Sequence, residues 1–415
     1  MSFRLLTIGS MYSGFLKSFY RKYPEYRNLN YKEQRENILN ETSEPIGSYT
    51  RMYNKLGIDA ACIITNADFL QKKWRQESGM HSISNQQLVF EQVNEFKPDV
   101  LWIDSIDYIE KSWVDHVRQS YPWIKLIIGG HCAPFNSKMI KNFRNLNFIF
   151  TCTPGLKNEL EKNNINVYLV YHAFDPDVLN KIMNDNFQHE NDFIFSGSLY
   201  KGGGFHDRRI NLLEYILNRN LDLKIFGNLE KKCKTRAKQL IYHVVRFLNF
   251  LHLGNLVLKI PIFRNQKVYA ENLVTTNSRI LKKAVLPPVF GIDMFRLLKK
   301  SKIVLNIHGD IAGDYAGNVR LFEATGVGSC LLTDDKKNLN ELFDVNKEIV
   351  VYNGNDDCIE KIKWLLENED ERSRIAKSGQ QRTLSSHTVE ERCKMIINII
   401  NKELSKMSLV SEVKF

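Results

Sequence analysis

The chain has little that would tie it to a metal, a disulfide framework or a membrane span. Of its 415 residues seven are cysteine, at positions 62, 132, 152, 233, 330, 358 and 393, odd in number and without a C-x-x-C pair. That argues against zinc and disulfides and suits a reducing compartment. No run of about twenty uncharged apolar residues exists, so a helix through a bilayer is not expected. The first ten residues turn polar too soon for a secretory leader, which points to a cytoplasmic chain. Also lacking are G-x-G-x-x-G for dinucleotides, G-x-x-x-x-G-K-[ST] for nucleoside triphosphates, and a D-x-D directly after a strand to hold Mg²⁺ and a diphosphate. No metal or cofactor is therefore expected.

What is present is ordinary globular composition, 43% hydrophobic and 25% charged, enough for two domains. The net charge of +11 is unevenly spread. Between Asn228 and Lys283 there are twelve Lys and Arg against Glu230 and Glu271, so nearly all the surplus lies in one segment.

The first half alternates apolar runs with amphipathic stretches. "FRLLTI" (3–8), "DAACIIT" (59–65), "DVLWID" (99–104), "IKLIIG" (124–129), "NFIFT" (147–151) and "NVYLVY" (166–171) read as strands of a parallel sheet covered on both faces. The pattern restarts with "DFIFSG" (192–197), "DLKIFG" (222–227), "KIVLNI" (302–307), "SCLLTD" (329–334) and "EIVVY" (348–352). Two successive α/β runs predict two Rossmann-like domains, 1–180 and 190–385, the second with a basic insert at 228–283. The segment from about 356 to 403 reads as helical throughout, with 386–415 as a closing helix and tail.

Open α/β sheets hold ligands beyond the carboxyl ends of their strands. After the first strand, Gly9, Ser10 and Met11 form a turn of small residues that lets a ligand approach a helix start, or a plain βα turn. After "DFIFSG" comes "GSLYKGGGFHDRR" (197–209), where Gly197, Ser198, Lys201 and Arg209 suit a diphosphate. In "NVRLFEATGVG" Asn318 reads as a helix N-cap, Arg320 as a phosphate partner and Glu323 as a carboxylate that accepts two ribose hydroxyls. Gly326 and Gly328 then end the helix. The competing reading of this stretch is an exposed Arg–Glu pair three residues apart. His131, in "IIGGHCAP", and Asp104 follow strands toward the same cleft, as do His172 and His308, and a histidine there serves either structure or proton transfer.

The ordered series "LVYHAFDPDVL", "FSGSLYKGG…DRR", "VFGIDMFRLLKKSKIVLNIHG", "NVRLFEATGVGSCLLTDD" and "ERSRIAKSGQQRTLSSHTVEER" resembles the donor domain of bacterial GT-B glycosyltransferases. It is most similar to the spore-maturation-type group, itself similar to glycosyltransferase family 4. The resemblance implies two Rossmann domains across a cleft, a nucleotide-sugar held by the second, and a saccharide or lipid-linked saccharide acceptor on the first. It places Glu323 at the ribose, Asn318, Arg320, Gly197, Ser198, Lys201 and Arg209 at the diphosphate end, and His131 near the transferred sugar. Family 4 pairs two glutamates with seven residues between them; the first position here is Tyr315, which leaves retention or inversion open. A non-catalytic nucleotide-sugar binder and a nucleotide-sugar epimerase of the same fold are the alternatives.

Within the insert, 231–253 has a charged start and then an amphipathic pattern with Leu240, Val244, Phe247, Leu248 and Leu251 on one face. Such a helix either lies on an anionic membrane surface, making the protein peripheral on the inner face of the plasma membrane, or packs its apolar face inward. No nucleic-acid motif accompanies the charge, which argues against a nucleic-acid partner.

Overall fold

The computed structural model describes residues 3–42, 44–104, 108–183, 188–199, 207–230, 232–253, 273–274, 276–309 and 313–412. The first half forms a six-stranded sheet: β1 Arg4–Gly9, β2 Asp59–Ile64, β3 Val100–Ile103, β4 Leu126–Gly130, β5 Phe148–Thr151 and β6 Val167–Leu169, in the order β2-β1-β3-β4-β5-β6. The second is β7 Asn191–Ser196, β8 Leu223–Phe226, β9 Val285–Leu286, β10 Ser301–Asn306, β11 Cys330–Asp334 and β12 Val350–Tyr352, in the order β12-β11-β10-β7-β8-β9. Every pairing is parallel. Helices cover both faces, which is why the strands read as apolar runs rather than alternating ones; in β5 all four side chains are buried. The strand missing from the sequence reading is β9, a two-residue edge pair too short to carry a pattern.

The strand order reverses beside β1 and β3 in the first sheet and beside β7 and β10 in the second. At such switch points helices leave to opposite faces and open a crevice. Gly9 ends β1 and Asp104 follows β3 directly, while Ser196 ends β7 and Ile307 follows β10 directly.

The closing helical segment is made of three helices, Asn355–Glu367, Glu369–Ser386 and Val389–Glu412. The last crosses back to the first sheet. Its Val389, Cys393, Ile396, Ile400 and Leu404 share a core with Phe3, Leu5, Val100, Leu126 and Phe148. Residues of the two halves also touch directly: a Cβ on Gly14 would lie 2.4 Å from the Phe290 ring, and one on Gly155 would lie 2.8 Å from Tyr315. Tight approach of backbone to side chain at these points brings the two sets of strand ends together.

Candidate active site

A cavity of about 540 Å³ opens at the carboxyl ends of the first sheet, lined by Trp102, Asp104, His131, Cys132, Tyr171 and His172 among others. A larger groove of about 940 Å³ runs along the edge strand β2, from Asp59 to Ile63, rather than beyond the strands' carboxyl ends. Strand polarity favours the first as the functional one.

Asp104 opens onto the cavity but is crowded by protein elsewhere. That crowding pushes its carboxyl up to about 6, against the pull of His172. The His131 ring is almost buried, 5.0 Å from Phe143 between centroids, with Nε2 3.4 Å from the Pro134 carbonyl. Burial lowers its value and favours the neutral ring, against the backbone carbonyls of Pro134 and Ala133. His172 goes the other way. Burial disfavours its cation, but Cys132, Glu323 and Asp104 outweigh this and leave it above the usual histidine value. His172 thus feels a carboxylate from each half of the molecule. The sulfurs of Cys132 and Cys152 and the His172 imidazole come within 4.8 Å of one another. Contact with Cys152, together with the surrounding protein, holds the Cys132 thiol well above its ordinary value.

Arg320–Gly326 is a helix of seven residues whose buried face carries Leu321, Phe322 and Glu323. Arg320 and Glu323 are paired, Nη1 to Oε2 at 2.9 Å, with side chains only 16% and 7% exposed. The pair is therefore not the solvated couple that three-residue spacing also allowed. Its alignment is poor: Glu323 Oε2 and Arg320 Nε are buried without hydrogen bonds. Arg320 Nη2 reaches the Ser196 carbonyl at 3.4 Å, at the end of β7. The charges of both residues extend to Tyr12, at the start of the first half's leading helix.

Asn318 departs from expectation. It is not the N-cap; Val319 is, without a side-chain cap. Asn318 instead exchanges hydrogen bonds with Asn306 at the end of β10, 2.6 and 3.3 Å, because that strand end offers a matching amide. Arg209 donates to the Ile307 carbonyl at 2.7 and 3.2 Å and to the Ser198 carbonyl at 3.1 Å, lacing the loops after β10 and β7 across the switch point. Gly197 lies where the loops after β7 and β8 nearly touch, since a Cβ on Gly227 would sit 2.5 Å from its oxygen. Lys201 lies outside the described residues.

In the first half, Gly9 packs on Ile46, where a Cβ would come within 2.8 Å. Ser10 is exposed, while the Met11 side chain is buried in a core with Phe15 and Phe19. Asn66 clasps Met11 N–H and C=O at 3.0 and 2.7 Å. The helix start that the sequence left open for a ligand already holds Glu44, whose carboxylate accepts from Tyr12 N–H at 2.9 and 3.0 Å. Burial pushes Glu44 up to about 7, and that hydrogen bond only partly opposes it. Glu44 and Tyr12 were not legible as site residues. For His172 the signal was its place just after β6.

The architecture, two facing doubly wound parallel sheets with a helical C-terminal segment, is the GT-B glycosyltransferase fold. A glycosyltransferase from Rickettsia africae shares it, with TM-score 0.54 and 11% identity over 97% of this chain and 99% of that one. So does sucrose-phosphate synthase from Thermosynechococcus elongatus, TM-score 0.54 and 8% identity over 97% and 100%. Anabaena HepE, in complex with UDP-glucose, aligns with TM-score 0.51 and 10% identity over 96% and 100%. At the level of sequence, residues 211–398 match the family described as glycosyl transferase-like. No curated protein sequence matches the chain.

Proposed function

We propose that the protein transfers a sugar from a nucleotide donor to a hydroxyl of a surface-polysaccharide or glycolipid precursor. One observation carries this reading. A buried carboxylate and guanidinium are left short of hydrogen bonds at the crevice where this fold holds its ligand. Leaving such groups unpaired costs on the order of 1–3 kcal/mol each, which a ligand's hydroxyls and phosphates would recover. Glu323 then accepts the two ribose hydroxyls, and Arg320 faces the diphosphate with Lys201 and the loop from Gly197. Arg209 shapes that loop through its carbonyl contacts. The match of residues 211–398 and the UDP-glucose bound by HepE support a nucleotide-sugar donor.

In the transfer, the bond from the anomeric carbon to the acceptor oxygen forms as the bond to the diphosphate breaks. Arg320 and Lys201 offset the charge that grows on the departing oxygen, and no metal is required. If the reaction inverts, Asp104 takes the acceptor's proton, a role its value near 6 supports because the group is then ionised at neutral pH. If it retains, the proton leaves with the diphosphate, and His131 contacts the sugar. Titratable groups in the cavity favour transfer over mere binding; sugar epimerisation without any acceptor would favour the epimerase reading instead.

Thermal shift with a panel of nucleotide sugars tests the reading. One of them is expected to stabilise the native chain and to lose that effect in Glu323→Ala. No response to any, or an unchanged response in the variant, rejects the site. With the donor identified, transfer should survive EDTA; loss that Mn²⁺ restores would show a metal requirement.

A further inference from the structure

The sequence left two fates for the basic segment after β8, and the structure separates them. Lys232–Phe250 forms a nineteen-residue helix without a single acidic side chain. Thr235 and Val245 are buried and Lys238, Gln239, Ile241, Tyr242, Val244 and Leu248 are half-buried, so the helix rests on the protein with one side and leaves the other in water. Gln239 holds the resting side by donating to the Val274 carbonyl at 2.9 Å, and Lys238 pairs there with Glu230 at 2.7 Å.

The opposite side is the unusual one. Arg236, Leu240, His243, Phe247 and Leu251 follow one another at three- and four-residue steps, which places them in a single row. All are exposed, with Leu240 at 64%, Phe247 at 62% and Phe250, next to the row, at 80%. A helix that served only to cover the domain would turn these side chains inward, because each large apolar group left in water forgoes the gain of burial. Of the apolar face read from the sequence, Leu240, Phe247 and Leu251 therefore face away from the protein, while Val244 and Leu248 are half-buried at its side. Lys232 extends the row's charge at one end, and Arg246 flanks it.

We infer that this outward row is a docking surface for an anionic lipid bilayer, which the helix enters lying flat at the level of the headgroups. The occupant follows from the combination. Leu240, Phe247, Phe250 and Leu251 need an apolar phase, and the cations around them need negative charge in the same plane. A lipid surface supplies both, and the helix meets it sideways. A nucleic acid would meet the charge but leave Phe247 and Phe250 without partners. Among the described residues no helix is long and apolar enough to cross a membrane, so contact through this face is peripheral. The inference rests on the transferase reading only for its purpose, holding the cleft near a lipid-linked acceptor; the surface itself stands without it.

Flotation of the full chain with vesicles of phosphatidylcholine alone, or mixed with phosphatidylglycerol, tests the inference. The chain should float with the mixed vesicles and not with the neutral ones, and the bound fraction should fall as salt rises. Leu240→Glu/Phe247→Glu should reduce flotation at least about tenfold. These positions are exposed, so the variant should fold, and its melting temperature and nucleotide-sugar shift serve as controls. Absence of flotation, equal flotation on neutral lipid, or flotation unchanged in the double variant would overturn the inference. Binding to RNA or DNA with no flotation would overturn it in favour of a nucleic-acid partner. Because donor binding is read separately, failure of the docking surface and failure of the transferase reading give different results.

Discussion

Glu323 is kept almost out of water with Arg320 as its ion-pair partner, and the pairing is incomplete. Removing Arg320 would leave that charge buried and alone, so Arg320→Met is expected to destabilise the ligand-free chain by about 3 kcal/mol or more in urea titrations. Arg320→Met/Glu323→Leu should recover most of the loss. If the double variant is as unstable as the single one, Arg320 matters for packing rather than for charge. Asp104 and Glu44 make a second prediction at this scale. Both are acids raised in the folded protein, to about 6 from 3.8 and to about 7 from 4.5. Between the ordinary and the raised values the folded chain keeps protons that the unfolded chain has lost. Stability therefore falls as pH rises through that window, and Asp104→Asn with Glu44→Gln should flatten the dependence. Urea midpoints taken at about pH 5 and pH 8 check it; an unchanged slope in the double variant would show that these groups titrate normally. His131→Ala should lower turnover far more than nucleotide-sugar affinity, whereas equal losses would point to its packing on Phe143.

The short Arg320 helix shows why elements were easier to read than their ends. Its existence and the buried strand after it were plain from "RLFEATGVGSCLLTD". The capping role of Asn318 was not, because a side chain three-dimensionally opposite Asn306 takes the better partner. Gly328 does end the turn in the left-handed region, φ +83, as its spacing suggested. Gly326 has a different reason. It lies against Phe174, and a Cβ there would come within 2.3 Å of that ring. Gly326→Ala should thus destabilise by roughly 1–3 kcal/mol through overpacking, measured by thermal or urea unfolding. A neutral outcome would mean that Phe174 can shift.

For the whole molecule, the Val389–Glu412 helix is the element that returns to the first half after the chain has built the second. Five buried apolar side chains on it, at about 2 kcal/mol each, contribute on the order of 10 kcal/mol, comparable to the stability of a domain. A chain ending at residue 388 is expected to lose the cooperative unfolding of its first half, seen as a missing or broadened calorimetric transition. A sharp, native-like transition in that truncation would show that the first sheet is closed without it.

Periodicity alone determined the two parallel sheets, since strands buried on both faces must be apolar and their spacing leaves room for helices between them. Local spacing likewise brought Arg320 and Glu323 onto one helix and collected the positive charge into one segment. Which groups meet was decided only by the tertiary structure. The charge of Glu323 reaches His172 from the other half, Glu44 occupies a helix start 32 residues before it in the chain, and Leu240, Phe247 and Leu251 of the basic helix point outward. Sequence patterns record how a segment divides apolar from polar faces. They do not record what lies opposite each face, and burial and charge depend on that.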